Sequence, residues 1–193
     1  MHNYLETKQI TIDLVGHGIG GTIALMFARQ YPEFVKSLTL LSVAAQPANT
    51  WHVNYYQQRQ IYSLSRRESL LNTIHNLFRE EITYHPQKLI NQFNKDLDNL
   101  PLMHSLYDIE KLPMGGVSMP LMICGGQVDP ILSYLELYKW KEWLKPEDII
   151  WKCPQGSHFF HSFYPDLVCE EILKFWKKQQ NLTLQKDFVQ SQV

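Results

Sequence analysis

The stretch Ile10–Ala28, "ITIDLVGHGIGGTIALMFA", decides how the chain is read. Its first part, Ile10–Val15, is apolar and β-branched, the composition of a buried strand. A glycine-rich corner follows: Gly16, His17, Gly18, Ile19, Gly20 and Gly21. A helical pattern then leaves the corner over Gly20–Tyr31 and stops where Pro32 disfavours helix at the residue before it. Two chemistries use a strand–turn–helix of this kind. One cradles a phosphate; the other presents a nucleophile.

The phosphate reading has a literal match, Gly16-x-Gly18-x-x-Gly21, after a strand and before a helix. Such a dinucleotide site also wants an acid about 20 residues on, at the end of the next strand, to hold the ribose. That strand ends "LTLLSVAAQPA", with Ser42 and no carboxylate, and Glu33 falls before it. The nucleophile reading takes Gly16-His17-Gly18-Ile19-Gly20 as the frame G-x-S-x-G with glycine at its centre. It expects a positive φ at that centre, an acid after a later strand, and a histidine after the last one. "PLMICGGQVDPI" supplies a strand, a glycine turn and Asp129; "IIWKCPQGSHFFHSFYPDLV" supplies a last strand, a turn and His158.

In these three stretches the chain resembles the α/β-hydrolase superfamily. "LVGHGIGGTIALMFARQYPEFVKSLTLLS" is similar to the family's elbow with its following helix and strand, "GGQVDPI" to its acid turn and "GSHFFHSFYP" to its histidine loop. The resemblance implies Asp129 as the acid, His158 as the base, and the N–H of Ile19 as one oxyanion donor. It puts the attacking serine at Gly18, which has no side chain. It covers only the C-terminal part of the family fold, beginning in a helix before the family's fifth strand, so the loop carrying the second oxyanion donor has no counterpart.

Working outward, three more apolar runs read as parallel strands covered on both faces: Ser37–Val43, Met119–Cys124 and Asp148–Cys153. Leu135–Leu144 and Pro165–Gln179 read as helices, and the tail from Asn181 as frayed. The expected fold class is α/β: a partial α/β-hydrolase core, residues 1–45 and 117–193, with a parallel sheet of about four strands. Residues 46–116, polar-aromatic and helical in pattern with breaks at Pro86, Pro101 and Pro113, read as an inserted helical lid.

Composition narrows the partners. At 193 residues the chain suits one domain, and 18 Lys and Arg against 19 Asp and Glu leave no field for nucleic acid or an anionic membrane. Three scattered cysteines, Cys124, Cys153 and Cys169, argue against a metal knuckle or a disulfide framework. With no leader pattern and no apolar run long enough to span a bilayer, a soluble, cytoplasmic chain is expected. The histidines His52, His75, His85 and His104 lack ligand spacing, so no metal is expected, nor any cofactor.

The pocket is expected to hold a small apolar molecule between His17, Ser42, Trp51 and Tyr55, with Tyr56 nearby. His161 is expected to support the histidine loop. Were the nucleophile relocated, Ser42 would be the first candidate, then Ser133. Beside a dinucleotide-binding domain through Gly16, Gly18 and Gly21, three functions remain open: a hydrolase relative without catalysis, an enzyme using Asp129–His158 as a general base without a covalent intermediate, or a piece of a larger hydrolase. The last leaves Ile10–Val15 as a bare edge, to be covered by self-association or by a complementary N-terminal fragment.

Overall fold

The computed structural model describes residues 1–46, 51–79, 86–99 and 113–190. A short helix, α1 (His2–Lys8), leads into β1 (Ile12–His17), α2 (Gly18–Gln30) and β2 (Val35–Leu41). Three helices follow: α3 (Trp51–Tyr62), α4 (Arg66–Phe78) and α5 (Pro86–Asn99). The chain then returns through β3 (Leu121–Gly126), α6 (Tyr134–Tyr138), β4 (Ile149–Cys153), α7 (Phe160–Phe163) and α8 (Pro165–Gln190).

The four strands form one parallel sheet in the order β1-β2-β3-β4. His17 pairs with Leu41, Leu41 with Cys124, and Gly126 with Cys153, so the carboxyl ends of all four strands finish along one rim. In open parallel sheets this rim is where loops build a site, because each loop leaves the backbone ladder there and turns back toward a helix.

Both faces of the middle strands are covered. On one face Ala24, Leu25 and Ala28 of α2, spaced to share a helix side, pack with Leu38, Leu40, Leu121, Ile123 and Trp140. On the other, Val168, Ile172 and Phe175 of α8 pack with Leu41, Met122 and Cys153. Helices α3–α5 keep a core of their own, with Tyr55, Leu70, Ile74, Leu77, Ile90 and Phe93 buried. Its packing reaches Ile131 and Phe159 in the loops after β3 and β4, so the insertion sits over the rim.

Several elements depart from sequence expectation. The strands expected at Ile10–Val15 and Met119–Cys124 each run two residues later, ending in the glycine turns. The helix expected over Leu135–Leu144 splits into α6 and a 3₁₀ turn, Lys139–Trp143. There Trp140 is buried and its Nε1 donates to the Val43 carbonyl at 2.8 Å. The tail is not frayed over its described part: α8 continues to Gln190, since "NLTLQKDFVQ" contains neither proline nor glycine to stop it. Pro86 opens α5 rather than breaking a helix, a position where its missing N–H costs nothing.

β1 is an outer strand, and its neighbourhood is unlike the rest of the sheet. Leu14 packs into the α2 face, but Val15 is 39% exposed. Ile23 and Met26, on the outward side of α2, are 61% and 50% exposed. No described helix is long and apolar enough to cross a membrane.

Candidate active site

The corner between β1 and α2 is built by glycines pressed on each other. A Cβ at Gly16 would collide with the Gly21 Cα at 2.5 Å, and one at Gly21 would overlap the Val43 side chain and the Gly16 carbonyl. Those two positions are therefore consumed by close contact of strand and helix. Gly18, between them, has φ +52°, and a Cβ there would meet nothing within 4 Å. The central residue of the corner thus takes the left-handed conformation the nucleophile frame requires and looks into open space.

The acid and histidine come from the opposite side of the rim. Asp129, six per cent exposed, follows the glycine turn after β3. Its Oδ1 accepts from the N–H groups of Ile131 (2.8 Å) and Leu132 (3.0 Å). Its Oδ2 accepts from His158 Nδ1 at 2.8 Å and from Ser42 Oγ at 3.3 Å. An ionised carboxylate held by this many donors is fixed in position. His158, four per cent exposed, therefore carries its proton on Nδ1 when neutral and keeps Nε2 as a base. The hydrogen bond of the ring to the described residues is made by Nδ1, which leaves Nε2 free of Asp129.

Two further side chains hold this pair, both through the backbone carbonyl of His158. Ser42 Oγ approaches it at 2.9 Å and His17 Nε2 donates to it at 3.0 Å. Ser42 itself has φ +49°, an uncommon conformation for a residue with a Cβ. Its single hydroxyl proton is shared between the His158 carbonyl and the Asp129 carboxylate. Its hydrogen bonds among the described residues run to Asp129 and to the His158 carbonyl, none of them to Nε2. Ser133 caps α6 by accepting from Glu136 N–H, and is spent there.

His17, His158 and His161 make a cluster, with ring centroids 5.1 Å apart for His17–His158 and 4.5 Å for His17–His161. Burial first, and then repulsion by His158, push the pKa of His17 down from 6.5 to about 3. The same two causes lower that of His161, whose buried Nδ1 has no partner among the described residues. His161 thus packs against His17 rather than bracing the histidine loop by a hydrogen bond. No group of metal-ligating side chains occurs among the described residues; His85 and His104 lie outside them.

A cavity of about 190 Å³ opens between the two sides. It is lined by the α2 start (Gly18, Ile19, Gly20), by Ser42 and Val43 after β2, by Trp51, and by His158 and Phe159. His17 also reaches it. Tyr55 does not line it. One turn beyond Trp51 on α3, Tyr55 is buried in the core of the inserted helices, where Arg59 Nη1 donates to its hydroxyl at 3.5 Å. Cys124 is buried beneath the rim, and burial raises its thiol pKa far out of reach of thiolate chemistry.

The family model described as "alpha/beta hydrolase fold" matches residues 5–77. An uncharacterised protein of Nostoc sp. (alr2406) is 50% identical over 180 residues, covering 93% of this chain and 72% of its own length. The chain belongs to the α/β-hydrolase superfamily. It is also similar to the uncharacterised hydrolase YugF of Bacillus subtilis, at 27% identity over 90% of this chain and 67% of that one. Among solved structures, a meta-cleavage product hydrolase of Pseudomonas fluorescens IP01 shares the fold with a TM-score of 0.66 at 13% identity. That match covers 91% of this chain and 68% of the other.

The glycine corner that the sequence reads as an elbow lies between β1 and α2, with Gly18 at its centre at φ +52°. The sequence pointed to Asp129, His158, Gly18 and Ile19 through motif order. It did not point to the braces, Ser42 on the acid and His17 on the His158 carbonyl. Ser42 at the end of a strand and His17 inside the glycine corner were visible, but a bond to a backbone carbonyl leaves no signature in the partner's identity.

Proposed function

We propose that this chain is a hydrolase relative that binds a small, largely apolar molecule without performing serine hydrolysis. One observation carries the reading: the elbow's central position is a glycine at φ +52° facing open space, while the acid–histidine pair stands at 2.8 Å. With no hydroxyl at the elbow there is no acyl-enzyme, and what remains is binding and polarisation. Trp51, Val43 and Phe159 give the cavity apolar walls, the surface an acyl chain would meet. The helices α3–α5 act in this reading as a lid over that cavity.

A second reading is favoured by His158 Nε2, which lies free of Asp129. Water seated in the space at Gly18 would lie where the missing hydroxyl belongs, and the Asp129–His158 pair would act as general base on it. This chemistry needs no covalent intermediate.

Turnover of p-nitrophenyl acetate and butyrate by the wild type, Gly18→Ala, Gly18→Ser and His158→Ala separates the two. The first reading expects wild type and Gly18→Ala to be equally inert. Gly18→Ser is expected to gain at least about 10³-fold, part of the roughly 10⁶ that a complete triad is worth. The serine at positive φ costs about 1 kcal/mol of stability, which the open space around it keeps from growing. Wild-type turnover abolished by His158→Ala would replace the first reading by the second.

A further inference from the structure

At the edge of the sheet opposite the rim, four connections meet around one cation. α2 ends at Gln30, Pro32 precedes β2, Ser118 precedes β3 and Trp143 precedes β4. Between them lies a hollow of about 430 Å³, with Arg29, Pro32, Val117, Ser118 and Trp143 on its walls. It shares no residue with the cavity at the elbow.

Arg29 reaches the hollow from the last turn of α2. Its guanidinium donates from Nε to the Gly116 carbonyl at 3.3 Å, from Nη1 to that of Pro113 at 2.7 Å, and from Nη2 to that of Gly115. A guanidinium has five N–H groups, so two remain. All three acceptors are neutral. No described carboxylate offsets the charge: burial lowers the pKa of Arg29, and no acid raises it. The carbonyls and the negative end of α2 supply partial charges only.

A neighbouring cation shows what is missing. Lys145 grips the same returning segment, its Nζ donating to the carbonyls of Val117 and Met119 at 3.0 Å each. Lys145 also has a counter-ion, Asp148, at 2.7 Å. Arg29 grips without one, and a cation taken partly out of water favours an anion beside it. The walls add an apolar surface: Trp143 and Val117 are half-buried against the core cluster that holds Trp140, and Ser118 brings an exposed hydroxyl. None of the lining residues is acidic, so nothing there repels an anion. The lining is also held in place, because a Cβ at Gly116 would collide with the Trp143 carbonyl.

We propose that the hollow at Arg29 is a binding site for a small oxyanion that carries an aromatic or apolar body. The oxyanion takes the two remaining N–H groups of Arg29 and the hydroxyl of Ser118. The body lies against Trp143, Pro32 and Val117. The ligand thus does for Arg29 what Asp148 does for Lys145. This site stands apart from the glycine bend and from any reading of Gly18.

Titrating the full chain with phenyl phosphate at fixed ionic strength tests this, with phenol as the neutral probe. Binding is followed by calorimetry and by NMR of the Arg29 Nε–H and the amides of Gly115–Ser118. Phenyl phosphate is expected to bind at least about tenfold more tightly than phenol, the margin of charge-assisted over neutral hydrogen bonds. Arg29→Lys keeps the charge but loses the planar fork, and is expected to weaken phenyl phosphate at least about tenfold. That variant also gives up the grip on three carbonyls, so Ser118→Glu is the second one. It leaves Arg29 in place and sets a fixed carboxylate on the same wall. It is expected to weaken phenyl phosphate at least about tenfold and to raise the thermal midpoint by about 2 °C.

Phenyl phosphate no tighter than phenol, or shifts confined to the glycine bend at Gly18, would overturn the proposal. So would a Ser118→Glu variant that changes neither binding nor midpoint. Arg29 would then serve only to clamp the segment that returns from the inserted helices to β3.

Discussion

The two outer strands of the sheet are finished differently, and the site lies between them. β4 is covered from both sides, Ile150 packing with the α2–Trp140 cluster and Trp151 with α8. The loops on that side, after β3 and β4, deliver Asp129 with its carboxylate accepting from four neighbours, and His158 held through its ring and its carbonyl by three. β1 is covered from one side, and delivers a glycine bend with open space around it. The contrast shows where precision is stored. Acid and histidine are fixed by a polar network; the glycine bend is fixed by close packing at Gly16 and Gly21.

Breaking that backbone contact is expected to give the largest effect. Gly21→Ala pushes a Cβ into Val43 and the Gly16 carbonyl, neither of which is the free end of a flexible chain. A loss of about 3 kcal/mol is expected, a drop of roughly 6–12 °C in thermal midpoint for a domain of this size. Gly20→Ala, one residue away and helical, meets nothing and is expected to be neutral or to gain up to about 1 kcal/mol. Equal midpoints for the two variants would show that the corner is not close-packed.

The bare side makes the next prediction, smaller in energy. Val15 on the outer strand, and Ile23 and Met26 on α2, leave apolar surface beside unpaired backbone groups. Such an edge pairs with whatever strand or apolar face it meets, and in purified protein that is a second copy. Light scattering is expected to show a mass rising above 22.7 kDa with concentration. The double variant Ile23→Lys, Met26→Lys is expected to weaken that association at least about tenfold. A monodisperse monomer at millimolar concentration would mean that this surface is satisfied within the chain.

How much of this was legible in the sequence follows from what each feature asks of side chains. Asp129, His158 and the glycine frame around position 18 were readable because chemistry and steric contact each demand one residue type at one place. The strand ends were not. Hydrophobic runs report burial, whereas strand limits are set by backbone pairing, which extends through His17 and Gly126 where the side-chain pattern has already stopped. Tyr55 was misassigned for a related reason. Four residues after Trp51 it shares that residue's helix side, but it lies one turn deeper, inside the core of α3–α5 rather than on the cavity wall. The braces on His158 were invisible because they grip a carbonyl, which every residue offers.

One of those braces links the two sides of the site, and it makes the most specific prediction. His17, at the end of β1, donates Nε2–H to the His158 carbonyl, so its ring must be neutral on Nδ1 or carry a charge among other rings. Burial and the neighbouring His158 oppose that charge, His161 adds to the opposition, and Asp129 favours it too weakly to win. The folded chain therefore keeps His17 neutral down to about pH 3, while the unfolded chain protonates it near 6.5. Between those values the unfolded state binds the extra proton, so stability is present in full above about 6.5 and is lost as pH falls toward 3. Urea midpoints measured from pH 7.5 to 4 are expected to decline for wild type and to decline less steeply for His17→Gln, which keeps a donor for the carbonyl without a titrating ring. Parallel curves for the two proteins would mean that His17 is hydrated in solution, and that the link between the open and the covered side of the sheet is not made by this residue.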